Sequence, residues 1–189
     1  MTPATPTTSA HRDRLLETAA ALFYAEGIKG VGVDRILSEA GSTRATMYRH
    51  FPGKEALVAA YLEREDAIIR GYFEAARAQG GTPTELLALV IDGIATDAQR
   101  YHRRGCPFIN AAAEYPDADG EVRRIIERHR TWFRETLTAV CTAAGVAEPA
   151  QVAASLVLLR DAALVGVYLD GDDVAATFRR TARTVAGLD

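Results

Sequence analysis

Along most of the chain, apolar residues recur at the three- and four-residue spacing of amphipathic helices. The first such stripe consists of Leu15, Ala19, Leu22 and Phe23. It predicts a helix over residues 9–26, and Gly27 ends it. No stretch shows the sustained alternation of apolar and polar residues that is typical of strands. We therefore predict an all-α fold of about nine helices.

Glycine and proline fall between the remaining apolar segments rather than inside them. Thr82 and Pro83 are the residue types that cap and open a helix, and Pro52 and Gly145 mark helix ends. The other helices are predicted at 33–40, 44–50, 53–78, 83–102, 108–114, 121–144, 149–170 and 174–186.

The two short helices at 33–40 and 44–50 follow a longer helix and are joined by a tight turn at Gly41. This is the outline of a helix-turn-helix, whose second helix enters the major groove of DNA. Ile36, Ala40 and Met47 fall where such a unit needs inward-facing residues. Gly41 suits the left-handed backbone that the turn requires.

The residues of this unit add a second signal. Thr46, Tyr48, Phe51 and Lys54 have the spacing Thr-x-Tyr-x-x-Phe-x-x-Lys, within the segment 40–57. This segment resembles the signature of the tetracycline-repressor-like (TetR) family of bacterial transcriptional regulators, and the resemblance extends over about residues 8–68. It implies a DNA-binding domain at 9–56 with the helix-turn-helix at 33–51, and a ligand-binding and dimerisation bundle at 57–189. Residues 1–8 belong to a stretch rich in Thr and Pro and are expected to form a disordered tail.

The predicted DNA contacts lie on the second short helix and at the start of the next one. They are Thr43, Arg44, Ala45, Thr46, Tyr48, Arg49, His50 and Lys54. Thr43 is placed to cap the recognition helix. We expect Arg44 to read a base edge, because arginine pairs bidentately with guanine. Lys54 is expected to bind a phosphate as a point charge.

Several of these residues have a structural alternative. Tyr48 suits either a core position or a DNA contact. His50 could instead cap its own helix. Arg49 and Lys54 have the alternative of being solvated surface charges, and Arg49, as a contact, suits either a base or a phosphate. Met47, Phe51 and Leu57 are expected in the core. Val31 and Gly32 stand where the family usually has a hydroxyl residue, so that phosphate contact is absent.

Composition agrees with a folded domain. The chain has 189 residues, 48% of them hydrophobic and 25% charged, with a mean hydropathy of −0.05, which excludes a largely disordered chain. The longest apolar run, 156–169, is interrupted by Arg160 and Asp161, so we expect no membrane span. The net charge is −3, and residues 1–60, with seven Lys or Arg against six Asp or Glu, permit nucleic-acid binding.

Specific DNA binding normally needs two half-sites and a two-fold dimer. The helix at 149–170 is apolar on most faces, so it must be covered from several sides. We expect it to pair with the last helix and their copies in a homodimer that binds a palindromic operator. The alternative is a core helix of a monomer.

The remaining helices are expected to enclose a site for a small-molecule effector. Candidates for its wall are Tyr72, Tyr101, Phe108, Asn110, Trp132 and Phe133. Aromatic residues at helical spacing also suit an ordinary core. Asp161 in its apolar helix needs an arginine partner, a place at the dimer seam or a ligand, and the sequence leaves these three open. The block 104–114, from Arg104 through Cys106 to Glu114, is similar to one branch of the family.

Nothing in the sequence indicates an enzyme, a cofactor or a metal site. The chain has four His and no Cys-x-x-Cys, and Glu-x-x-His pairs are missing. Cys106 and Cys141 suit a reducing cytosol.

The rival functional classes are an all-α enzyme and a helical protein-interaction module. The expected function is a cytoplasmic, sequence-specific regulator, a repressor that leaves its operator when a small molecule binds.

Overall fold

The computed structural model describes residues 8–188, which form nine α-helices and contain no strand. The helices are α1 (Thr8–Glu26), α2 (Val33–Glu39), α3 (Arg44–His50), α4 (Lys54–Ala78), α5 (Pro83–Arg100), α6 (Pro107–Glu114), α7 (Glu121–Ala143), α8 (Pro149–Asp170) and α9 (Asp173–Ala186). The predicted all-α fold is confirmed. Of the predicted tail at 1–8, all but Thr8 lies outside the described residues.

The described chain divides into two compact units. The N-terminal unit holds the residues up to Glu65 together with Asn110–Ile125, and the C-terminal unit holds Asp66–Ile109 and the residues from Ile126 onward. Helices α4, α6 and α7 contribute residues to both units. The domain boundary expected between residues 56 and 57 stays a prediction.

The core of the N-terminal unit lies where α1 packs on α2 and α3. Leu15 and Ala19 of α1, Ile36 of α2 and Met47 of α3 are completely buried, as the apolar spacing predicts. Phe23 and Tyr61 extend this core, with their ring centroids 5.9 Å apart. Burial of a large apolar side chain stabilises a fold by about 1.5–3 kcal/mol.

The turn between α2 and α3 depends on a glycine. Gly41 has a φ of +57°, a left-handed conformation that costs a residue with a Cβ free energy. The backbone N–H of Ser42 donates to the carbonyl of Leu37, which closes α2. The chain can then enter α3 within three residues.

In the C-terminal unit, α5, α8 and α9 pack against one another. The predicted cap of α5 is present and forms part of a capping box: Thr82 Oγ1 accepts from the backbone N of Glu85, and Glu85 accepts in return from the backbone N of Thr82. A Cβ added to Gly166 of α8 would lie 2.8 Å from Val174 of α9. The two helices are therefore in close contact at this glycine.

Helix α8 has the length and hydropathy of a membrane span, with a mean hydropathy of 1.8 over its most apolar segment. A core helix of a soluble bundle has the same properties, and α8 carries Arg160 and Asp161 as an ion pair. Only 33% of that apolar segment is buried within the described chain. Much of the apolar surface of α8 is thus uncovered in a single copy.

His129 of α7 lies in an aromatic layer of the C-terminal unit. Its ring stacks on Phe108 with the centroids 3.7 Å apart, and its Nδ1 donates to Asp66 Oδ1 at 2.7 Å. Arg70 Nε donates to the second oxygen of Asp66 at 2.6 Å. Burial lowers the pKa of His129 to about 4 in spite of this carboxylate. His129 is therefore neutral near pH 7.

This neutral histidine predicts a pH-dependent stability. An unfolded histidine has a pKa of about 6.5. Between pH 6.5 and 4 the unfolded chain binds a proton that the folded chain does not bind. The free energy of unfolding should then fall with decreasing pH across this window, by up to about 3 kcal/mol. Denaturant unfolding at pH 7 and pH 4.5 measures the difference.

His129→Asn is the matched variant, because its amide nitrogen keeps a donor near Asp66 and does not titrate. Its stability should change less than that of the wild type over the same range. An equal decline in both proteins would show that other groups cause the pH dependence.

Candidate nucleic-acid interface and cavity

Helix α3 is held by one inward residue and one cap. Met47 is its only buried residue. Thr43 Oγ1 accepts a hydrogen bond from the backbone N of Thr46 at 3.2 Å, so the predicted cap is present. Phe51, which follows the helix, and Leu57 are buried, as expected. Arg44, Ala45, Tyr48 and Arg49 are exposed, which leaves one face of α3 accessible to a groove.

The predicted contact residues lie on or beside this outward face. Arg44, Ala45, Arg49 and Thr43 are exposed, and Tyr48 is 52% exposed. Thr46 and His50 are partly buried. These placements make contact with DNA geometrically possible, and the contacts themselves stay predictions.

Two buried polar atoms lie near the recognition helix. They are Ser42 Oγ and His50 Nε2, and neither has a hydrogen-bond partner among the residues described. A buried polar atom without a partner costs free energy. The alternative that His50 caps its own helix is not supported by any hydrogen bond of its Nε2 atom.

Arg44 is engaged by a carboxylate of α2. Its Nη2 lies 2.6 Å from Asp34 Oδ1, and both side chains are mostly exposed to solvent. Exposed ion pairs contribute about 0–1 kcal/mol, so Arg44 can leave Asp34 at little cost. The arginine expected to read a base is thus held loosely at the start of α3.

Lys54 is less exposed than a freely solvated charge. Its Nζ lies 6.0 Å from the ring centroid of Phe23, and burial lowers the pKa of Lys54 while the carboxylate of Glu114 opposes that change. Lys54 therefore has a partly buried side chain at the first residue of α4, where the phosphate contact is predicted.

Glu114, the last residue of α6, binds the backbone just after α1. Its Oε1 accepts from the backbone N of Ile28 at 2.8 Å, and its Oε2 accepts from that of Lys29 at 2.6 Å. Gly27 has a φ of +88°, and an added Cβ would lie 3.3 Å from Glu114 Oε1. One carboxylate thus fixes the loop that connects α1 to α2.

The C-terminal unit contains a cavity of about 360 Å³, within the range of small-molecule sites. Residues of α4 and α5 form most of its wall, and Phe133 and Arg160 also line it. Of the predicted wall residues, Tyr72, Tyr101 and Phe133 line this cavity. The rings of Tyr72 and Tyr101 lie 6.2 Å apart.

Phe108, Asn110 and Trp132 do not line this cavity. Phe108 is buried against the ring of His129. Trp132 lies under the guanidinium of Arg70 at 4.0 Å and edge-on to Phe73. Asn110 is partly buried and belongs to the N-terminal unit. Phe108 and Trp132 therefore pack against these neighbours and do not contribute to the cavity wall.

Arg160 is a cavity residue that the sequence analysis missed. Its side chain is almost completely buried, and its Nη1 donates to Asp161 Oδ1 at 2.9 Å and to Cys106 Sγ at 3.3 Å. Asp161 Oδ2 also accepts from Arg130 Nη2 at 2.8 Å. Of the three alternatives for Asp161, the structure shows pairing with arginine. The signal was available, because Arg160 adjoins Asp161 in an apolar segment.

The structure offers no group of three or more His, Cys, Asp or Glu side chains placed to hold a metal ion, as far as residues 8–188 are concerned. Cys106 and Cys141 are buried and unpaired with each other.

Two models of known protein families match this chain, one in its N-terminal part and one in its C-terminal part. Residues 15–61 match the family model "Bacterial regulatory proteins, tetR family". Residues 82–183, more than half of the chain, match the model "Tetracyclin repressor-like, C-terminal domain". The chain belongs to the TetR family. Members of this family are transcriptional regulators with a DNA-binding helix-turn-helix.

A solved structure agrees over nearly the whole length of this TetR-family chain. SCO4454, a TetR-family transcriptional regulator from Streptomyces coelicolor, is 41% identical, with 95% of both chains covered and a TM-score of 0.90. Both units of the present chain are thus similar to those of a regulator of the same family.

Curated relatives match mainly the N-terminal part. The uncharacterised HTH-type transcriptional regulator Rv1255c of Mycobacterium tuberculosis is 43% identical over 53 residues, 28% of this chain and 26% of the relative. The HTH-type transcriptional activator FasR of Mycolicibacterium smegmatis is 33% identical over 94 residues, 48% of this chain and 43% of the relative. This chain therefore spans from about a quarter to less than half of the length of these relatives.

The contacts of Glu114 predict a local effect of its removal. Glu114→Gln keeps one acceptor oxygen and loses the charge and the second acceptor. The free energy of unfolding should fall by about 1–3 kcal/mol, because two backbone N–H groups lose a charged partner. Hydrogen exchange of the amides of Ile28 and Lys29 should become faster.

Glu17→Gln is the matched control, since Glu17 is an exposed carboxylate of α1 in the same unit. It should leave the hydrogen exchange of both amides unchanged, and the free energy of unfolding should stay within about 0.5 kcal/mol of the wild type. Unchanged exchange at Ile28 and Lys29 in Glu114→Gln would show that the carboxylate does not fix this loop.

Proposed function

We propose that this TetR-family chain is a homodimeric, sequence-specific repressor that leaves a palindromic operator when a small molecule binds its C-terminal bundle. The proposal assigns DNA binding to residues 9–56 and effector binding and dimerisation to residues 57–189. The observation that supports it most is the exposed face of α3, which is formed by Arg44, Ala45, Tyr48 and Arg49. Repression is the commoner mode of the family. A regulator of this kind acts in the cytoplasm and, when DNA-bound, at the nucleoid.

The outer face of α3 has the chemistry of a major-groove reader. Arg44 and Arg49 supply cationic donors, and Thr46 and Tyr48 supply hydroxyl groups. Arginine distinguishes guanine through its O6 and N7 atoms, whereas phosphate contacts position the protein. We assign base reading to Arg44 and phosphate binding to Lys54.

The support for a dimer is an exposed apolar stripe on α8. Leu158, Ala162, Val165 and Leu169 follow the i, i+4, i+7 and i+11 spacing of one helix face and are all exposed in a single copy. Leu158 and Leu169 are 71% and 69% exposed. A continuous apolar stripe of this kind marks a protein–protein interface.

The support for an effector is the cavity of the C-terminal unit. An effector shifts DNA affinity only if it binds one conformation of the protein better than the other. Helices α4 and α6 contain residues of both units, and each carries a contact that bears on the DNA-binding residues: Lys54 on α4 and Glu114 on α6. We propose that effector binding acts on DNA affinity through these two helices.

Selection of bound DNA from a random pool tests the DNA-binding proposal directly. The wild type should enrich an inverted repeat, and its affinity should fall steeply with salt. Arg44→Ala should cost about 1–3 kcal/mol and relax one base position in each half-site. Lys54→Ala should weaken binding to all sequences alike and reduce the salt dependence.

Arg77→Ala serves as the control, because Arg77 is an exposed arginine at the far end of α4 and belongs to the C-terminal unit. It should leave the selected sequence and its affinity unchanged. If the wild type enriches no sequence at low ionic strength, the proposal of a DNA-binding regulator is wrong.

Sedimentation equilibrium tests the dimer. The wild type should sediment as twice the 20.4 kDa chain at micromolar concentration. Leu158→Glu should shift the population toward the monomer, because a charge in an apolar interface loses its hydration. Leu188→Glu, a change outside the exposed stripe of α8, should leave the dimer in place. A wild-type monomer would contradict the proposal.

A further inference from the structure

We propose that the cavity of the C-terminal unit takes an aromatic acid whose carboxylate binds the guanidinium of Arg160. The inference rests on the proposed effector function and adds the chemical class of the effector. The cavity is lined mainly by apolar and aromatic side chains, and Arg160 is the cationic residue among them.

Arg160 has donors that the protein does not use. A guanidinium carries five N–H donors, of which the two on Nη1 serve Asp161 and Cys106. Among residues 8–188, Nε and Nη2 have no hydrogen-bond partner, and Arg160 borders both the cavity and a smaller space beside His129 and Arg130. The side chain is only 4% exposed. A buried guanidinium with open donors on a cavity wall favours an acceptor inside that cavity.

Asp161 engages Arg160 on one side only of its guanidinium, at Nη1. Arg130, the second arginine on Asp161, is 39% exposed, so water hydrates its charge. The opposite edge of the Arg160 guanidinium is thus left for a second carboxylate. The Nε and Nη2 atoms form the side of a guanidinium that binds both oxygens of a carboxylate at once.

The two carboxylates on the cavity wall already have partners. Asp92 Oδ1 accepts from Arg179 Nε at 2.7 Å, and both oxygens of Asp97 lie 2.8 Å from His102 Nδ1. Each of these carboxylates is thus engaged by a basic side chain, as Arg160 is engaged by Asp161, and Asp92 and Asp97 are the wall groups that a cationic ligand would use. A cationic effector remains the outcome that would overturn the inference.

The walls favour an aromatic body for the ligand. The guanidinium carbon of Arg160 lies 5.1 Å from the ring centroid of Phe133, which in turn packs edge-on against Phe73. Tyr72 and Tyr101 add two further rings that line the cavity. Aromatic side chains stack on or pack edge-on against aromatic ligands. A flat ligand can therefore contact rings while its acid group reaches Arg160.

Isothermal titration of the full chain, without DNA, tests the class of ligand with three probes that share one biphenyl body. The probes are biphenyl-4-carboxylate, biphenyl-4-carboxamide and biphenyl-4-trimethylammonium. The carboxylate should bind at least about tenfold more tightly than the amide, because its hydrogen bonds to Arg160 are charge-assisted. The ammonium probe should bind more weakly than either.

Substitutions at two neighbouring arginines assign the effect. Arg160→Met should remove the preference for the carboxylate over the amide, and Arg160→Lys should keep part of it, because the charge remains and the two-point hydrogen bond is lost. Arg130→Met is the matched control: it removes a charge from the same carboxylate, and Arg130 does not line this cavity. Its carboxylate preference should stay within about threefold of the wild type.

The outcomes separate this inference from the proposed function. Equal or tighter binding of the amide or the ammonium probe, or a carboxylate preference that persists in Arg160→Met, would overturn the acidic class and leave the effector site in place. Binding of none of the probes would overturn the inference too, and the selection of operator DNA by the free protein would stand unaffected. Carboxylate binding that leaves operator affinity unchanged would support the site and contradict its role as an effector site.

Discussion

The recognition helix depends on its anchoring, because seven residues are too few to form a stable helix alone in water. Isolated helices need about 12–15 residues before they are even marginally stable. Helix α3 has Met47 in the core, Thr43 as its cap and Gly41 in the turn before it. Met47 is fully buried and Thr46 and His50 are partly buried, so the face formed by the other four residues is what remains for recognition. A short helix thus combines a defined position with one accessible face.

The C-terminal unit meets a different constraint, since it keeps the ion pair of Arg160 and Asp161 and the neutral His129 inside an apolar bundle. The cluster of Arg130, Arg160 and Asp161 crosses from α7 to α8, and a second cluster joins His129, Asp66 and Arg70. Buried charges are tolerated where each has a partner, and removal of one partner leaves the other exposed to a large desolvation cost. These clusters therefore define which helix faces can meet.

Periodicity and helix-ending residues predict all nine helices to within about two residues at each end, because local rules act there: Gly41 allows a left-handed turn, and Thr82 and Pro83 open a helix. Contacts between residues far apart in the sequence do not follow from these local rules. Glu114 meets the backbone of residue 28, which lies 86 positions away, and no local pattern specifies such a contact.

The same limit applies to the cavity. Tyr72, Tyr101 and Phe133 are predicted on its wall and line it. Phe108 and Trp132 are predicted there because they are aromatic, but they pack against His129 and Arg70 instead.

The ion pair between Asp34 and Arg44 has a consequence for recognition. If Arg44 reads guanine, Asp34 competes with every base pair for the same guanidinium. A sequence without guanine at that position offers Arg44 nothing better than its own carboxylate, so discrimination between sites would arise partly within the protein itself.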